Sequence, residues 1–205
     1  MTGPCGPASR LGPCGPASRL APPRQVVLAL GSNLGDRLAT LQAGIDDLAD
    51  APGLDLRAVS AVFETSPVGG PDQPDYLNAV LLAVSALPAK EILARTQAAE
   101  RAQGRVRSVR WGPRTLDVDI IAVDDETSDD RDLTLPHPRA HERAFVLLPW
   151  HDVDPGATLP GFGPVAALIA GPASDPGASG GAGTIRRRDD LRLTVRPQEP
   201  TSQGG

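Results

Sequence analysis

The chain has 205 residues, of which 40% are hydrophobic and 22% are charged, and its formal net charge at pH 7 is −5. This length fits one domain with additional terminal segments, and the negative charge argues against nucleic acid as the main partner. The sequence contains no apolar run long enough for a membrane span or a secretory signal, so we expect a cytoplasmic protein that does not enter a membrane.

Low-complexity segments flank the part of the sequence that can form a hydrophobic core. Residues 1–23 contain the nonapeptide GPCGPASRL twice, with both cysteines of the chain, and their Gly, Pro and Ala content predicts disorder. Residues 171–205 begin with a second Gly- and Ala-rich stretch, and we expect a mostly disordered tail there, with a candidate short strand at 191–195. The sequence therefore assigns the fold to residues 24–170.

The hydrophobic pattern of residues 24–170 predicts strands and helices in the order β-α-β-β-α-β. In chain order the predicted elements are a strand at 25–30, a helix at 36–50, strands at 54–63 and 76–87, a helix at 88–104 and a strand at 115–123. This order is that of a ferredoxin-like α+β sandwich, in which an antiparallel sheet has its helices on one face. A further apolar piece at 144–150 follows, without a predicted type.

Two aspartates on the last predicted strand provide the strongest chemical signal. Because alternate side chains of a strand share a face, Asp117 and Asp119 point the same way, with Cα atoms roughly 6.5 Å apart, while Leu116, Val118 and Ile120 face the core. Neighbouring carboxylates repel each other unless a cation lies between them. A pair of Mg²⁺ ions that also binds nucleotide phosphates would suit this position. The alternative interpretation is an exposed, solvated strand.

Four arginines, Arg105, Arg107, Arg110 and Arg114, flank a predicted loop before this strand. Guanidinium groups neutralise the charge of a transferred phosphoryl group with fixed geometry, so the loop is a candidate cover for a triphosphate. Solubilising surface arginines are the alternative for one or two of them. The glycine-rich turn at 31–36 lacks the Gly-Lys-Ser/Thr ending of a P-loop, and we interpret it as a structural turn, with lining of the site as the alternative.

An aromatic and an amide side chain lie together on the predicted strand at 76–87. Tyr76 is the only tyrosine of the chain, and Asn78 shares its strand face, which suits a flat heterocycle with several donors and acceptors. Ordinary packing is the alternative for Tyr76. His137 lies between two prolines in a rigid turn and is a candidate nucleotide contact, whereas His141 and His151 have poor spacing for zinc and are expected at the surface.

Several segments, taken in chain order, resemble the hydroxymethyldihydropterin pyrophosphokinase family. They are LALGSNLGDR at 28–37, the loop and strand at 65–78, Glu100 with GRVR at 104–107, RWGPRTLDVDII at 110–121, LTLPHP at 133–138 and RAFV at 143–146. The resemblance covers about residues 25–155, and its most specific part is 110–121. It implies the ferredoxin-like fold and an enzyme of folate biosynthesis that transfers pyrophosphate from ATP to 6-hydroxymethyl-7,8-dihydropterin and releases AMP.

The resemblance also implies a role for each matched site residue. Asp117 and Asp119 would bind two Mg²⁺ ions and act in catalysis with Arg105 and Arg114. The implied pterin contacts are Thr65, Val68, Tyr76, Asn78, Asp117 and Phe145, with the ring held between Tyr76 and Phe145. The implied ATP contacts are Gln97, Glu100, Arg107, Trp111, Arg114, Ile120, Thr134, His137 and Arg143. We expect a monomer that acts on these two small molecules.

The sequence departs from the family pattern in three places. Pro138 stands where some members have Tyr, Asp132 where some have a basic residue, and the loop at 105–111 is a residue short, which leaves the assignment of Arg107 and Arg110 open. Another Mg²⁺-dependent phosphoryl or nucleotidyl transferase on the same sheet is a competing interpretation. A non-catalytic binding module is a second one, although an RNA reader stacks bases on strand aromatics, and these strands contain few.

Overall fold

The computed structural model describes residues 22–67, 73–104, 115–171 and 184–196. In chain order its elements are β1 (Arg24–Ser32), α1 (Arg37–Ala49), β2 (Asp55–Val59), β3 (Val62–Thr65), β4 (Tyr76–Ser85), α2 (Ala89–Ala102), β5 (Asp117–Val123), β6 (Ser128–Asp130), β7 (Leu133–Leu135), a 3₁₀ turn (Ala140–Glu142), α3 (Ala144–Val153), β8 (Thr158–Leu159), β9 (Gly163–Pro164), α4 (Val165–Ala170) and β10 (Ile185–Arg188). The main sheet is antiparallel, with strand order β10-β3-β4-β1-β5, and β2 also pairs with β4.

The predicted ferredoxin-like α+β fold is confirmed, and one predicted strand is divided. The strand expected at 54–63 forms β2 and β3, which both pair with β4. Side chains satisfy the backbone at the break, because Ser60 Oγ accepts a hydrogen bond from the Val80 N–H and Asp152 Oδ2 accepts one from the Ala61 N–H, both at 2.8–2.9 Å. The helix predicted to stop at Gly104 ends just before it, and Gly104 has φ +73°.

Helices α1 and α2 pack on one face of the sheet, as predicted. Leu28 of β1, Leu41 of α1, Ile92 of α2 and Val118 of β5 belong to this core, each with at most 4% of its surface exposed. Each large apolar side chain buried here contributes about 1.5–3 kcal/mol. Since Val118 faces this core, Asp117 and Asp119 on either side of it face away from α1 and α2.

A third helix adds a partial layer on the opposite face of the sheet. The apolar piece at 144–150 forms most of α3, and its Leu147 and Trp150 pack with Val27 and Val80 of the sheet. The sequence did not specify this helix, because an apolar run that is buried nearly all round has no clear period. No helix among the described residues has the length and apolar character needed to cross a membrane.

The C-terminal segment adds an edge strand to the sheet. Strand β10 runs antiparallel to β3, with Ile185 opposite Thr65 and Arg188 opposite Val62. The expectation of little order in this region is therefore wrong for residues 184–196, and the strand lies at 185–188 rather than at 191–195. The composition of β10 did not indicate a strand, because three of its four residues are arginines. These arginines form ion pairs with acids distant in the sequence.

Residues that follow β10 continue along helix α1. The Gln42 side chain of α1 donates to the Thr194 carbonyl at 3.0 Å and accepts from the Thr194 N–H at 2.9 Å. Leu191, Leu193 and Val195 pack, partly buried, against the core under the helices. The alternation that suggested a strand at 191–195 thus reflects one apolar side of an extended segment.

Glu64 of β3 is the main attachment point of β10. Its carboxylate lies 3.1 Å from Arg37 Nη1, 2.6 Å from Arg186 Nη2 and 2.8 Å from Arg188 Nη1, and only 11% of the Glu64 side chain is exposed. We call these four residues the Glu64 cluster. The hydrogen bond from Arg186 lowers the pKa of Glu64, burial opposes this change, and Arg188 and Arg37 lower the pKa further.

Glu64→Gln should destabilise the protein by about 1 kcal/mol near neutral pH, because it removes the charge that the three arginines share. The pKa of folded Glu64 is lowered from 4.5, so its contribution to stability is present above pH 4.5 and disappears as pH falls through the folded-state pKa. Urea denaturation of both proteins at about pH 7 and about pH 3 measures this. A stability difference that does not shrink on acidification would contradict the assignment.

Candidate active site

A row of site residues crosses three strands on the sheet face away from α1 and α2. Gly31 of β1 pairs with Asn78 of β4 on one side and with Asp117 of β5 on the other, so the two side chains stand on either side of a residue without one. A Cβ atom at Gly31 would lie 3.3 Å from Asn78 Oδ1 and 3.9 Å from the Tyr76 ring. Gly31 therefore forms the floor of a gap between an amide and a carboxylate.

The Asn78 side chain is held by a buried hydrogen bond to the neighbouring strand. Its Nδ2 donates to Thr65 Oγ1 at 2.8 Å and to the Phe63 carbonyl at 3.4 Å, and Asn78 and Thr65 are 5% and 7% exposed. Because the amide nitrogen makes both hydrogen bonds, Asn78 Oδ1 is the side-chain atom that faces Gly31. Thr65 thus sets the direction in which Asn78 presents an acceptor.

Tyr76 and Phe145 contribute aromatic rings to the same side of the sheet from different elements. Tyr76 begins β4, where it pairs with Thr65, and its hydroxyl donates to Gln73 Oε1 at 3.3 Å. Phe145 is the second residue of α3 and is partly buried against the core on that face. The guanidinium of Arg143 lies 5.5 Å from the centre of the Phe145 ring.

Asp119, Arg143 and His137 form a connected polar group beside this row. Arg143 Nη1 lies 3.2 Å from Asp119 Oδ2 and 3.4 Å from His137 Nε2, and His137 Nε2 lies 3.8 Å from Asp119 Oδ2. The His137 N–H donates to the Ile121 carbonyl at 2.9 Å, which fixes the turn against β5. The structure therefore brings together residues that the sequence assigned to metal and ATP.

Burial favours the neutral form of the His137 ring. Burial is the main cause that lowers the pKa of His137, Asp119 opposes it, and the positive charge of Arg143 lowers the pKa further. The Arg139 N–H donates to His137 Nδ1 at 3.2 Å, and His137 Nε2 faces both Arg143 Nη1 and Asp119 Oδ2. The side chains of Asp119, His137 and Arg143 are 39%, 18% and 21% exposed, so each is accessible to a ligand.

Four other residues predicted to contact ATP lie on β5 and on its neighbours α2 and β7. Glu100 of α2 is 4% exposed, and its Oε1 accepts a hydrogen bond of 2.9 Å from the Val118 N–H at the edge of β5. Ile120 is 5% exposed and faces the core under the helices, so it can contact a nucleotide through its main chain. Thr134 Oγ1 donates to the Asp130 carbonyl at 3.1 Å, and Gln97 is half-buried on α2.

Six site residues predicted from the sequence lie outside the described residues, namely Val68, Arg105, Arg107, Arg110, Trp111 and Arg114. Their roles stay predictions. For the turn at 31–36 the sequence predicted a structural role, with lining of the site as the alternative, and it indicated no role for Gly31 itself. The register of β1 with β4 and β5 is what places Gly31 between Asn78 and Asp117, and strand pairing of this kind cannot be inferred from one strand alone.

Asp117 and Asp119 are the carboxylates that the site offers to a cation. The described parts of the chain contain no group of three or more His, Cys, Asp or Glu side chains that could hold a metal by protein ligands alone. A pair of partly exposed carboxylates on one strand face fits Mg²⁺, which commonly binds one or two carboxylates and takes its other oxygen ligands from phosphates and water. The donor set therefore suits a cation that arrives with a nucleotide.

Comparison with known proteins connects this geometry to a family. Residues 27–155 match the model of the family described as 7,8-dihydro-6-hydroxymethylpterin-pyrophosphokinase (HPPK). The chain is 50% identical over 159 residues to a 2-amino-4-hydroxy-6-hydroxymethyldihydropteridine pyrophosphokinase of Mycobacterium tuberculosis, covering 71% of this chain and 82% of that protein. It is 41% identical over 126 residues to the protein of the same name from Bacillus subtilis, covering 62% and 75%.

A solved structure supports the fold. The crystal structure of wild-type HPPK-DHPS from Plasmodium falciparum aligns with a TM-score of 0.57 and 14% identity, over 75% of this chain. The alignment covers 45% of that longer chain, and at this identity it shows the fold alone. The family match and the two relatives identify the family, and they confirm the prediction made from the sequence motifs. This chain is an enzyme of the 7,8-dihydro-6-hydroxymethylpterin-pyrophosphokinase family.

Proposed function

We propose that the protein transfers the pyrophosphoryl group of ATP to 6-hydroxymethyl-7,8-dihydropterin in a Mg²⁺-dependent step of tetrahydrofolate biosynthesis. The observation behind this proposal is the row Asn78–Gly31–Asp117 beside the polar group of Asp119, Arg143 and His137. A subsite for a flat heterocycle and a subsite for phosphates thereby meet at one strand, β5. In this proposal the protein acts in the cytoplasm, as a monomer, on two small molecules.

The pterin subsite lies over Gly31. A fused ring can approach the backbone there because no Cβ intervenes, and Asn78 Oδ1 is available to accept from an amino or ring N–H of the pterin. Tyr76 and Phe145 would contact the two faces of the ring, Thr65 orients Asn78, and Asp117 would reach the polar edge nearest the reacting hydroxymethyl group. Val68 belongs to the same proposal by resemblance.

The ATP subsite lies beside Asp119. Arg143 holds Asp119 Oδ2 in place and would donate hydrogen bonds to phosphate oxygens, with His137 beside it as a further polar contact. Arg105 and Arg114 would assist transfer, with Arg107 and Trp111 at the nucleotide. When bound at Asp117 and Asp119, two Mg²⁺ ions supply the charge neutralisation that phosphoryl transfer requires.

The proposed reaction forms one phosphorus–oxygen bond, breaks another, and releases the hydroxyl proton to water. The pterin hydroxyl oxygen attacks the β-phosphorus of ATP in line and loses its proton, while the bond between the β-phosphorus and the oxygen bridging to the α-phosphate breaks. AMP leaves with that oxygen, and the β- and γ-phosphates remain on the pterin. The chain's contribution is to align the hydroxyl with the β-phosphorus, which replaces a bimolecular encounter by a fixed geometry.

The product identifies the reaction. Incubation with ATP, Mg²⁺ and 6-hydroxymethyl-7,8-dihydropterin should yield AMP and pyrophosphorylated pterin in equal amounts, and AMP should not appear without the pterin. Chromatography of the nucleotides measures this. ADP as the product would support transfer of a single phosphoryl group, and absence of any pterin-dependent nucleotide product would contradict the proposal.

Asp117→Ala and Asp119→Ala should each lower kcat on the order of 100-fold or more, because each removes a ligand for the cation that stabilises the transition state. The circular dichroism spectrum should not change, since both side chains lie on a partly exposed face. Asp125→Ala is the matched control, because Asp125 is an exposed aspartate of the same acidic stretch, in the turn after β5. Near-parental activity in either site variant would exclude its metal role.

Thr65→Val keeps the shape of the side chain and removes the oxygen that accepts from Asn78. We expect a loss of about 1–3 kcal/mol in the free energy of unfolding and an increase of about ten-fold in KM for the pterin, with KM for ATP unchanged. Thr65→Ser is the control, because it retains the hydroxyl. If Thr65→Val left KM for the pterin at the parental value, Thr65 would not orient Asn78 for binding.

A further inference from the structure

Strand β10 lies outside residues 27–155, the part of the chain that the family model matches, yet it pairs with the strand that contains Thr65. We propose that β10 is a positioning element of the pterin subsite, so that pterin affinity depends on Arg186 and Arg188 although both lie on the sheet face opposite that subsite. This inference rests on the proposed function for the identity of the ligand. Three sets of contacts support it.

Backbone hydrogen bonds to β10 hold the residues directly before and after Thr65. Strand β3 has only four residues, and β10 covers the edge that faces away from β4. The Ser66 N–H donates to the Thr184 carbonyl at 3.1 Å, and the two hydroxyls lie 2.9 Å apart. Since hydrogen-bonded pairs alternate in an antiparallel ladder, Glu64 and Arg186 form the next such pair. Both chain neighbours of Thr65 are thereby attached to β10.

The Glu64 cluster also holds this part of β3, from the sheet face on which α1 and α2 pack. Arg186 and Arg188 of β10 bind the Glu64 carboxylate, and Arg37 binds it from α1. Arg37 Nη1 also donates to the Asp75 carbonyl at 2.7 Å. Glu64 directly precedes Thr65, and Asp75 directly precedes Tyr76, so one charged group holds the backbone next to two residues of the pterin subsite.

The geometry keeps the arginines of the Glu64 cluster away from the substrate. Successive residues of a strand point to opposite faces, so Glu64, Arg186 and Arg188 lie on the side of α1 and α2, while Thr65 and Asn78 lie on the other side. A substitution at Arg186 or Arg188 therefore changes how β3 is held without changing any group that faces the pterin.

Arg187 connects β10 to the opposite face. It forms ion pairs with Asp152 of α3 and with Asp189. Asp152 also accepts the Ala61 N–H just before β3. Helix α3 begins with the segment that contains Phe145, so β10 contributes to the placement of both predicted aromatic contacts. A pterin held between two rings binds less tightly when either ring or the Asn78 acceptor is displaced, because ring contacts and hydrogen bonds both weaken steeply with distance.

The test is the double variant Arg186→Ala/Arg188→Ala in the full chain, which keeps the backbone ladder and removes both guanidiniums of β10 from Glu64. We expect KM for the pterin to rise about ten-fold, with KM for ATP and kcat within about two-fold of the parent. The control is Arg192→Ala, an exposed arginine of the same C-terminal segment. Arg186→Lys/Arg188→Lys retains the charges and should recover part of the affinity.

Each outcome decides the inference. An unchanged KM for the pterin, or a loss of kcat with both KM values unchanged, would show that β10 contributes only to overall stability and would overturn the proposal. If the double variant does not fold by circular dichroism, Arg186→Ala alone replaces it, because the Arg186 side chain is 69% exposed. If the parent forms no AMP with the pterin, the proposed function fails, and amide hydrogen exchange decides the positioning role. Equal protection of Thr65 and Ser66 in parent and variant would then refute it.

Discussion

The pairing of β1 with β4 and β5 is the constraint on which the rest of the site depends. Its register places Gly31 between Asn78 and Asp117, and Ala29 between Val80 and Asp119. Two carboxylates from β5 and an amide from β4 thus lie at fixed separations on one face, because neighbouring strands lie about 4.8 Å apart. The core under α1 and α2 maintains this register, since a slip of one residue would turn every buried side chain of β1 to the other face.

The sequence was sufficient for the fold class, because strand and helix periods in residues 24–123 are clear and few arrangements accommodate the order β-α-β-β-α-β. It was also sufficient for the face shared by Asp117 and Asp119, which follows from strand alternation alone. Family motifs then pointed to Thr65, Asn78, His137 and Arg143, and the structure places the first two in one hydrogen bond and the last two around Asp119.

Long-range pairing was the part that the sequence did not reveal. The role of Gly31 depends on two neighbouring strands, and the attachment of β10 depends on arginines that meet Glu64 some 120 residues away in the chain. From its composition, such a segment is interpreted as a charged tail, because charge alone does not indicate which residue it pairs with. Helix α3 was missed for a different reason, since its buried apolar run has no period that distinguishes a helix from a strand.

The two end strands of the main path of the sheet, β10 and β5, are both unsuited to pairing with another strand. At one edge, β10 presents three consecutive arginines, and charged side chains on an edge strand oppose pairing with a second chain. At the other, the Val118 N–H is taken by Glu100 and the Ile121 carbonyl by the His137 N–H, which interrupts the row of backbone groups that β5 would offer. Edge strands of this kind oppose edge-to-edge aggregation at these two places.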